Sequence, residues 1–471
     1  MNLALLNPEI ALVVLALFVF ALDLVWSNKR GIGYVTIAGL AGVAALVAGQ
    51  FGLNTTSFSG ALIVDNFAVF FNLLFLGAAA LVVLAALQYG EQFLHWRGEF
   101  YGVLLFATFG MMFMASSGDL IAIYVALETA SISLYVLAGF RKHDPASGEA
   151  ALKYLLLGAL ASAVLLYGMA LLYGLTGSTN LAAIGQQIAG QAGQPVTLLA
   201  MTLVICGLGF KVAAVPFQMW APDVYQGAPT PVTAFLSVAS KASGFAVLLR
   251  LTTSALGPLQ SDWQAIFTAL AVVTMTVGNL AAIPQHNIKR LMGYSSIAMA
   301  GYLLVGMAAL AAGGAPSILL FLAAYTVTNL GAFAAIIAFS NATGSDEIDD
   351  YSGLASRSPL LALGFGFCLF SLIGIPPLAG FFGKFYVFAE AVNRGLIWLA
   401  VVALLNSAVS VFYYLRVVKV MYLNPARDTS PVNVPPSLAV ALAVTAIGVV
   451  VVGVGIGPIM DTAVAAAQVL R

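Results

Sequence analysis

Residues 210–231 read F-K-V-A-A-V-P-F-Q-M-W-A-P-D-V-Y-Q-G-A-P-T-P and join two stretches apolar enough to cross a membrane. The first stretch, 197–214, carries Lys211 inside it, and Pro216 follows five residues later. Proline has no N–H to donate to the carbonyl of Val212, so the helix breaks one residue from the lysine. Pro222, Pro229 and Pro231 are expected to keep the rest of the connection, with Asp223 among them, from becoming a regular helix. A lysine at membrane depth beside freed backbone carbonyls persists only where protein or water surrounds it. The stretch reads as the centre of an ion path.

The composition sets the class. Hydrophobic residues make up 62% of the 471 and charged residues 8%, with a mean hydropathy of +1.02. Soluble domains carry about 25% charged residues, so a soluble class is excluded. The zero net charge argues against a nucleic-acid partner. Cys206 and Cys368 fall in apolar stretches and are too few for an iron–sulfur centre. No G-x-G-x-x-G follows a strand and there is no P-loop, so no cofactor, metal or nucleotide is expected in this chain. The N-terminus opens with Asn2, Asn7 and Glu9 rather than a basic region, which predicts a retained first helix and not a cleaved signal.

Apolar stretches of about 20 residues predict an all-α integral membrane protein with about fourteen transmembrane helices. They lie near 8–26, 33–52, 65–89, 99–116, 119–140, 150–175, 196–214, 231–253, 263–283, 290–312, 316–340, 360–390, 395–422 and 436–458. Connections are short. One, 176–194, has Leu181, Ile184 and Ile188 at helical spacing, and another, 341–359, holds the acidic run Asp346, Glu347, Asp349 and Asp350. Lys29, Arg30, Arg97, Arg141, Lys142, Lys289, Arg290, Arg357 and Arg427 follow odd-numbered helices, whereas Arg250 and Arg394 follow even-numbered ones. That bias puts the odd connections in the cytoplasm and both termini outside, in a cell inner membrane.

The seventh and twelfth spans each pair a lysine with a proline break, since Pro376 and Pro377 precede Gly380, Gly383 and Lys384. Five helices separate the two, and a repeated unit with an odd number of helices must be inverted in the membrane. The division expected is an N-terminal three-helix segment over 1–98, repeats over 99–253 and 263–422, and a last helix in 436–471.

Four charges lie within spans: Glu128, Lys211, Lys241 and Lys384. Tyr124, Ser131 and Tyr135 share the face of Glu128. Lys241 sits about eleven residues from either end of its span, too far to snorkel. Its neighbours Ser237 and Gly244 are expected to leave room for water. Proton transfer suits these residues: desolvation disfavours a charged lysine, a nearby carboxylate restores it, and arginine is not tunable in this way. Tyr294, Ser295, Ser296, Tyr325, Thr328, Asn329, Asn406, Ser410 and Tyr413 extend polar faces, each more often an inter-helix bond than a relay. His95, His143 and His286 fall in connections, without metal spacing.

The run P-F-Q-M-W-A-P-D-V-Y-Q-G-A-P-T-P-V-T-A-F-L-S-V-A-S-K, inside 210–249, resembles the antiporter-like proton-channel subunits of respiratory complex I, an NADH-quinone oxidoreductase, in their subunit N form. N-I-K-R-L-M-G-Y-S-S-I-A at 287–298 and G-I-P-P-L-A-G-F-F-G-K-F at 374–385 agree, so the likeness covers nearly the whole chain. It implies that Glu128 pairs with Lys211, that Lys241 bridges, and that Lys384 leads to the outside half-channel. It also implies that NADH, flavin, iron–sulfur clusters and quinone belong to partner subunits of the membrane arm and beyond. Two positions depart: Gln218 stands where relatives commonly have histidine, and Met299 where they often do. Neither side chain titrates near neutral pH. Two other readings share this ancestry, an Mrp-type cation/proton antiporter subunit and the membrane subunit of a proton-pumping hydrogenase.

Overall fold

The computed structural model describes residues 2–89, 96–310, 314–428 and 430–470. Among them, 13 helices are long and apolar enough to cross a membrane. The twelfth expected span, 360–390, is instead two shorter helices, Pro359–Ile373 and Ala379–Asn393. The last expected span stops at Val454, and Gly455 separates Pro436–Val454 from a further helix, Ile456–Ala467. Helix starts follow from local chemistry. Asp65, Asp119, Asp144, Asn180 and Asn287 each accept a hydrogen bond from a first-turn N–H, which satisfies donors that the helix leaves free.

The connections add structure that hydropathy does not show. Thr55–Ser57 and Leu62–Val64 form a short antiparallel hairpin in one connection of the otherwise helical fold. Backbone bridges Leu62↔Ser117 and Asp119↔Asn180 stitch this end of the bundle together. Here Arg250, read as a loop cation, is 4% exposed and grips Asp65 bidentately at 2.9 and 2.8 Å. That pair fastens the N-terminal segment to the span Thr230–Ala255. At the other end, Lys289 and Arg97, also read as loop cations, are both 2% exposed. His143 and His286 are exposed, and His95 lies outside the described residues.

Three helices form the interior. The apolar windows of Thr230–Ala255, Ile288–Ala308 and Gly314–Thr343 are 100%, 94% and 89% buried. Polar groups on these helices therefore face protein rather than lipid, as intramembrane ionisable groups require. The first of them is not regular, because π-helical turns occupy Leu236–Ser240 and Leu251–Ala255. A π turn leaves an extra residue in the helix and is common at functional sites; this one ends next to Lys241.

The two proline breaks are built alike. The helix Pro195–Val212 ends in a left-handed residue, Ala213 (φ 59°), and Pro359–Ile373 ends in Gly374 (φ 96°). In both, the next N–H reaches back five residues, Ala214 to Gly209 at 2.8 Å and Ile375 to Phe370 at 3.1 Å, which is the Schellman pattern. The lysines differ in place. Lys211 lies on the helix before its break, Lys384 on the helix after. The connection 213–229 also holds a helix, Trp220–Gly227, contrary to the expectation from its prolines. Pro222 lies in its first turn, where an N–H has no intrahelical partner to lose.

Candidate proton-transfer site

Lys211 is 4% exposed in the last turn of Pro195–Val212. Its Nζ donates to Ser131 Oγ at 2.9 Å, on the helix Leu120–Ala138. Glu128 lies one turn earlier on that helix and is half-buried. Its Oε1 accepts from the Ser162 hydroxyl of Pro145–Thr176, and no ion pair joins it to Lys211. The direct pairing implied by the resemblance is thus not formed: Ser131 takes the ammonium and Ser162 takes the carboxylate. Tyr135, expected on the same stripe, packs edge-on against Tyr154 with centroids 4.7 Å apart.

The break beside Lys211 is sealed. Trp220 Nε1 donates to the Phe210 carbonyl at 3.0 Å and the Val215 N–H to Thr274 Oγ1 at 3.0 Å. The Trp220 ring stacks on Tyr154, centroids 4.5 Å apart and planes 13° apart. Backbone groups freed by the proline are therefore met by protein. Gln218 is half-buried, and its Oε1 has no hydrogen-bond partner among the described residues.

Lys241 is 2% exposed and points into the neighbouring helix. Its Nζ donates to both Ser296 oxygens, the carbonyl and, at 2.5 Å, the hydroxyl. Tyr225 OH bonds the same hydroxyl at 3.0 Å. Gly244 does not leave space for water as expected. A Cβ there would stand 2.7 Å from Val212 Cγ1 and 3.3 Å from Lys211 Cγ, so the stem of Lys211 fills the gap. Ser237, on the preceding turn, accepts from Asn329 at 2.6 Å.

Lys384 is 5% exposed. Its three protons meet the carbonyls of Leu372 (2.8 Å) and Ile373 (3.0 Å), freed at the break, and the Ser407 hydroxyl (3.0 Å). The Tyr302 ring centroid lies 5.1 Å from Nζ, within cation–π range. Beside it is a cavity of ≈ 10 Å³ lined by Met299, Tyr325, Thr328, Ser371, Gly380 and Lys384 among others, about the size that holds one water. Met299 thus faces the space next to Lys384, where a histidine side chain would have been polar.

All three lysines are enclosed and held by neutral oxygens, and all four predicted site residues lie on helices that pack around one interior. Among the described residues, no group of His, Cys, Asp and Glu side chains is placed to hold a metal ion. Sequence reading missed Tyr225, Thr274, Asn279, Tyr302 and Tyr414. Tyr225 lay in the quoted connection 210–231, and the only signal of the other four was polarity inside apolar spans.

The family model described as NADH:quinone oxidoreductase/Mrp antiporter, transmembrane, matches residues 117–410, which contain both breaks and all four charges. The chain belongs to that family. Within the NADH:quinone oxidoreductase/Mrp antiporter family, the chain is 48% identical to NADH-quinone oxidoreductase subunit N of Moorella thermoacetica over 467 residues, 98% of each chain. It is 36% identical, at a TM-score of 0.84, to a chain of respiratory complex I from Thermus thermophilus, covering 97% of this chain and 99% of that one. A chain of the Mrp complex of Dietzia sp. superposes with a TM-score of 0.87 at 21% identity, over 100% of this chain and 98% of that one, and shows the shared fold alone. The likeness read from 210–249, 287–298 and 374–385 therefore holds along the whole chain, and the chain is a multi-pass membrane protein.

Proposed function

We propose that this chain is a proton-translocating subunit of the membrane arm of an NADH:quinone oxidoreductase, acting as part of a translocase. Protons pass along the line Glu128, Lys211, Lys241, Lys384, with the first repeat (99–253) carrying the first three and the second repeat (263–422) the last. The pair Pro359–Ile373 and Ala379–Asn393 makes one further broken crossing, the fourteenth. NADH oxidation and quinone reduction take place in partner subunits, and further antiporter-like chains stand beside this one. The chain itself carries no cofactor.

One observation carries this reading: three enclosed lysine ammonium groups whose hydrogen-bond acceptors are all neutral oxygens. A structural ion pair would give each a carboxylate, as Arg250 has in Asp65. A lysine held only by hydroxyls and carbonyls keeps or releases its proton according to the surrounding field. Glu128, tethered by Ser162 on the neighbouring helix, is the charge placed to alter that field at Lys211. Proton release from Lys211 leaves a neutral amine on Ser131, and Lys241 is the next acceptor, its helix packed on the stem of Lys211 at Gly244. Lys384 receives last, where half-helix carbonyls present their negative ends.

The odd-numbered connections face the cytoplasm of the inner membrane, and both termini lie outside. Contacts between these connections are consistent with their sharing one side: Asn341 Nδ2 to the Gln88 carbonyl at 3.1 Å, and the Ile288 N–H to the Asp346 carbonyl at 2.8 Å; the Lys and Arg bias says which side. Identity of 36% with the complex I chain, against 21% with the Mrp chain, favours this reading over an antiporter subunit. NADH-driven proton uptake by membrane vesicles carrying Lys241→Ala tests it. Assembled complex with lost uptake is expected; assembled complex with full uptake overturns the assignment.

A further inference from the structure

Asn279 is completely buried in the span Gly257–Ala282, on a helix to which the proton line assigns no residue. Both polar atoms of its side chain are hydrogen-bonded. Oδ1 accepts from Tyr413 OH at 3.0 Å, while Nδ2 donates to the Met275 carbonyl (2.8 Å), to Tyr302 OH (3.0 Å) and, more weakly, to Asn406 Oδ1 (3.4 Å). One of these partners faces Lys384 and another adjoins a residue that does. The ring of Tyr302 faces Nζ at 5.1 Å, and Asn406 precedes Ser407, whose hydroxyl accepts from Nζ at 3.0 Å.

The same amide reaches the other lysine's surroundings. Tyr413 packs on Tyr414 with ring centroids 4.4 Å apart, and Tyr414 OH bonds Ser295. Ser295 adjoins Ser296, which holds Lys241. One side chain thus ties Ile288–Ala308 and Ile397–Leu423 together beside the surroundings of Lys384.

We propose that Asn279 is a positioning residue for Lys384. It fixes the Tyr302 face and the Asn406–Ser407 turn around the ammonium, and so sets the field in which Lys384 takes up and gives up its proton. A buried amide in an apolar bundle is costly unless its groups are hydrogen-bonded, as this one's are. What the amide adds is orientation of an aromatic face and a hydroxyl on two different helices. The inference rests on the proposed role of Lys384, and the test separates the two.

The experiment measures initial proton uptake and NADH oxidation in vesicles, each normalised to assembled complex on a native gel, for Lys384→Ala, Asn279→Leu, Asn279→Gln, Tyr302→Phe and Asn279→Leu/Tyr302→Phe. Asn279→Leu is expected to lower protons moved per NADH, with uptake per complex falling about tenfold, the size of one hydrogen bond to a charged or buried group. Asn279→Gln, which keeps the amide, is expected to recover part of it. Tyr302→Phe keeps the ring and removes only the hydroxyl that Asn279 holds. It is expected to slow uptake too, and the double variant to be little worse than Asn279→Leu. Where Asn279→Leu reduces assembly, Tyr302→Phe carries the test alone, and unchanged uptake in it overturns the inference. Lys384→Ala inactive with Asn279→Leu fully active overturns this inference only. Lys384→Ala fully active overturns it together with the proposed function.

Discussion

Lys211 donates to Ser131 at 2.9 Å, while Glu128, one turn away on the same helix, accepts from Ser162 of the next. The acid and the base are therefore neighbours held apart by two serines rather than a closed ion pair. A closed buried pair is hard to open, since removing one partner typically costs about 3–5 kcal/mol. A single hydroxyl tether to a charged group is weaker, at about 1.5–3 kcal/mol net, and each opens independently of the other. The arrangement suits a charge that must change its surroundings on every cycle.

Removing Ser131 is the specific check on this arrangement. Ser131→Ala leaves the Lys211 ammonium without the acceptor it has here, a loss of about 1–3 kcal/mol for a buried charged donor. Proton uptake per assembled complex is expected to fall roughly tenfold on that scale. Uptake equal to wild type shows that Lys211 finds Glu128 directly.

Gly244→Ala places a methyl 2.7 Å from Val212 Cγ1 and 3.3 Å from Lys211 Cγ. Val212 must shift and the lysine stem must give way slightly, so uptake falls while NADH oxidation by the peripheral subunits, measured with a soluble acceptor, stays unchanged. A small stability loss of about 1–3 kcal/mol accompanies the overpacking. Normal pumping in this variant contradicts the close approach of the two helices.

Lys241→Arg keeps the charge and is expected to abolish coupling. The guanidinium is larger than the slot between Lys241 and Ser296, and it does not release its proton. Vesicles of this variant that build a normal proton gradient exclude Lys241 from the relay.

Asp65→Ala strands the Arg250 guanidinium, which is 4% exposed and also donates to the Ala115 carbonyl at 2.7 Å. A stranded buried charge costs about 3–5 kcal/mol. The amount of assembled complex on a native gel is expected to drop severalfold, and Asp65→Ala/Arg250→Met to recover part of it. Unaltered assembly in Asp65→Ala shows that this pair does not hold the N-terminal segment in place.

Hydropathy and proline positions made the spans, both breaks and the four interior charges legible, because each is a property of a short run of residues. What stayed hidden depends on partners far apart in the chain. Arg250 looked like a loop cation until Asp65, 185 residues away, closed on it. Tyr413 was legible on a polar face, but its partner Asn279, 134 residues away, does not stand out within its own apolar span. The helix Trp220–Gly227 was obscured by Pro222, which breaks a helix interior but fits a first turn. The π turn before Lys241 has no sequence signature at all, and room expected at Gly244 was taken by a side chain from another helix. The pairing expected of Glu128 and Lys211 takes an indirect form for a related reason, since Ser131 holds one group and Ser162 the other.

The central claim is that Lys211 carries protons. Its most direct test is NADH-driven proton uptake in vesicles carrying Lys211→Ala, with assembly verified on a native gel. Assembled complex with lost or strongly reduced uptake is the result expected. Assembled complex with full uptake would contradict the account and leave the chain as a scaffold in the membrane arm.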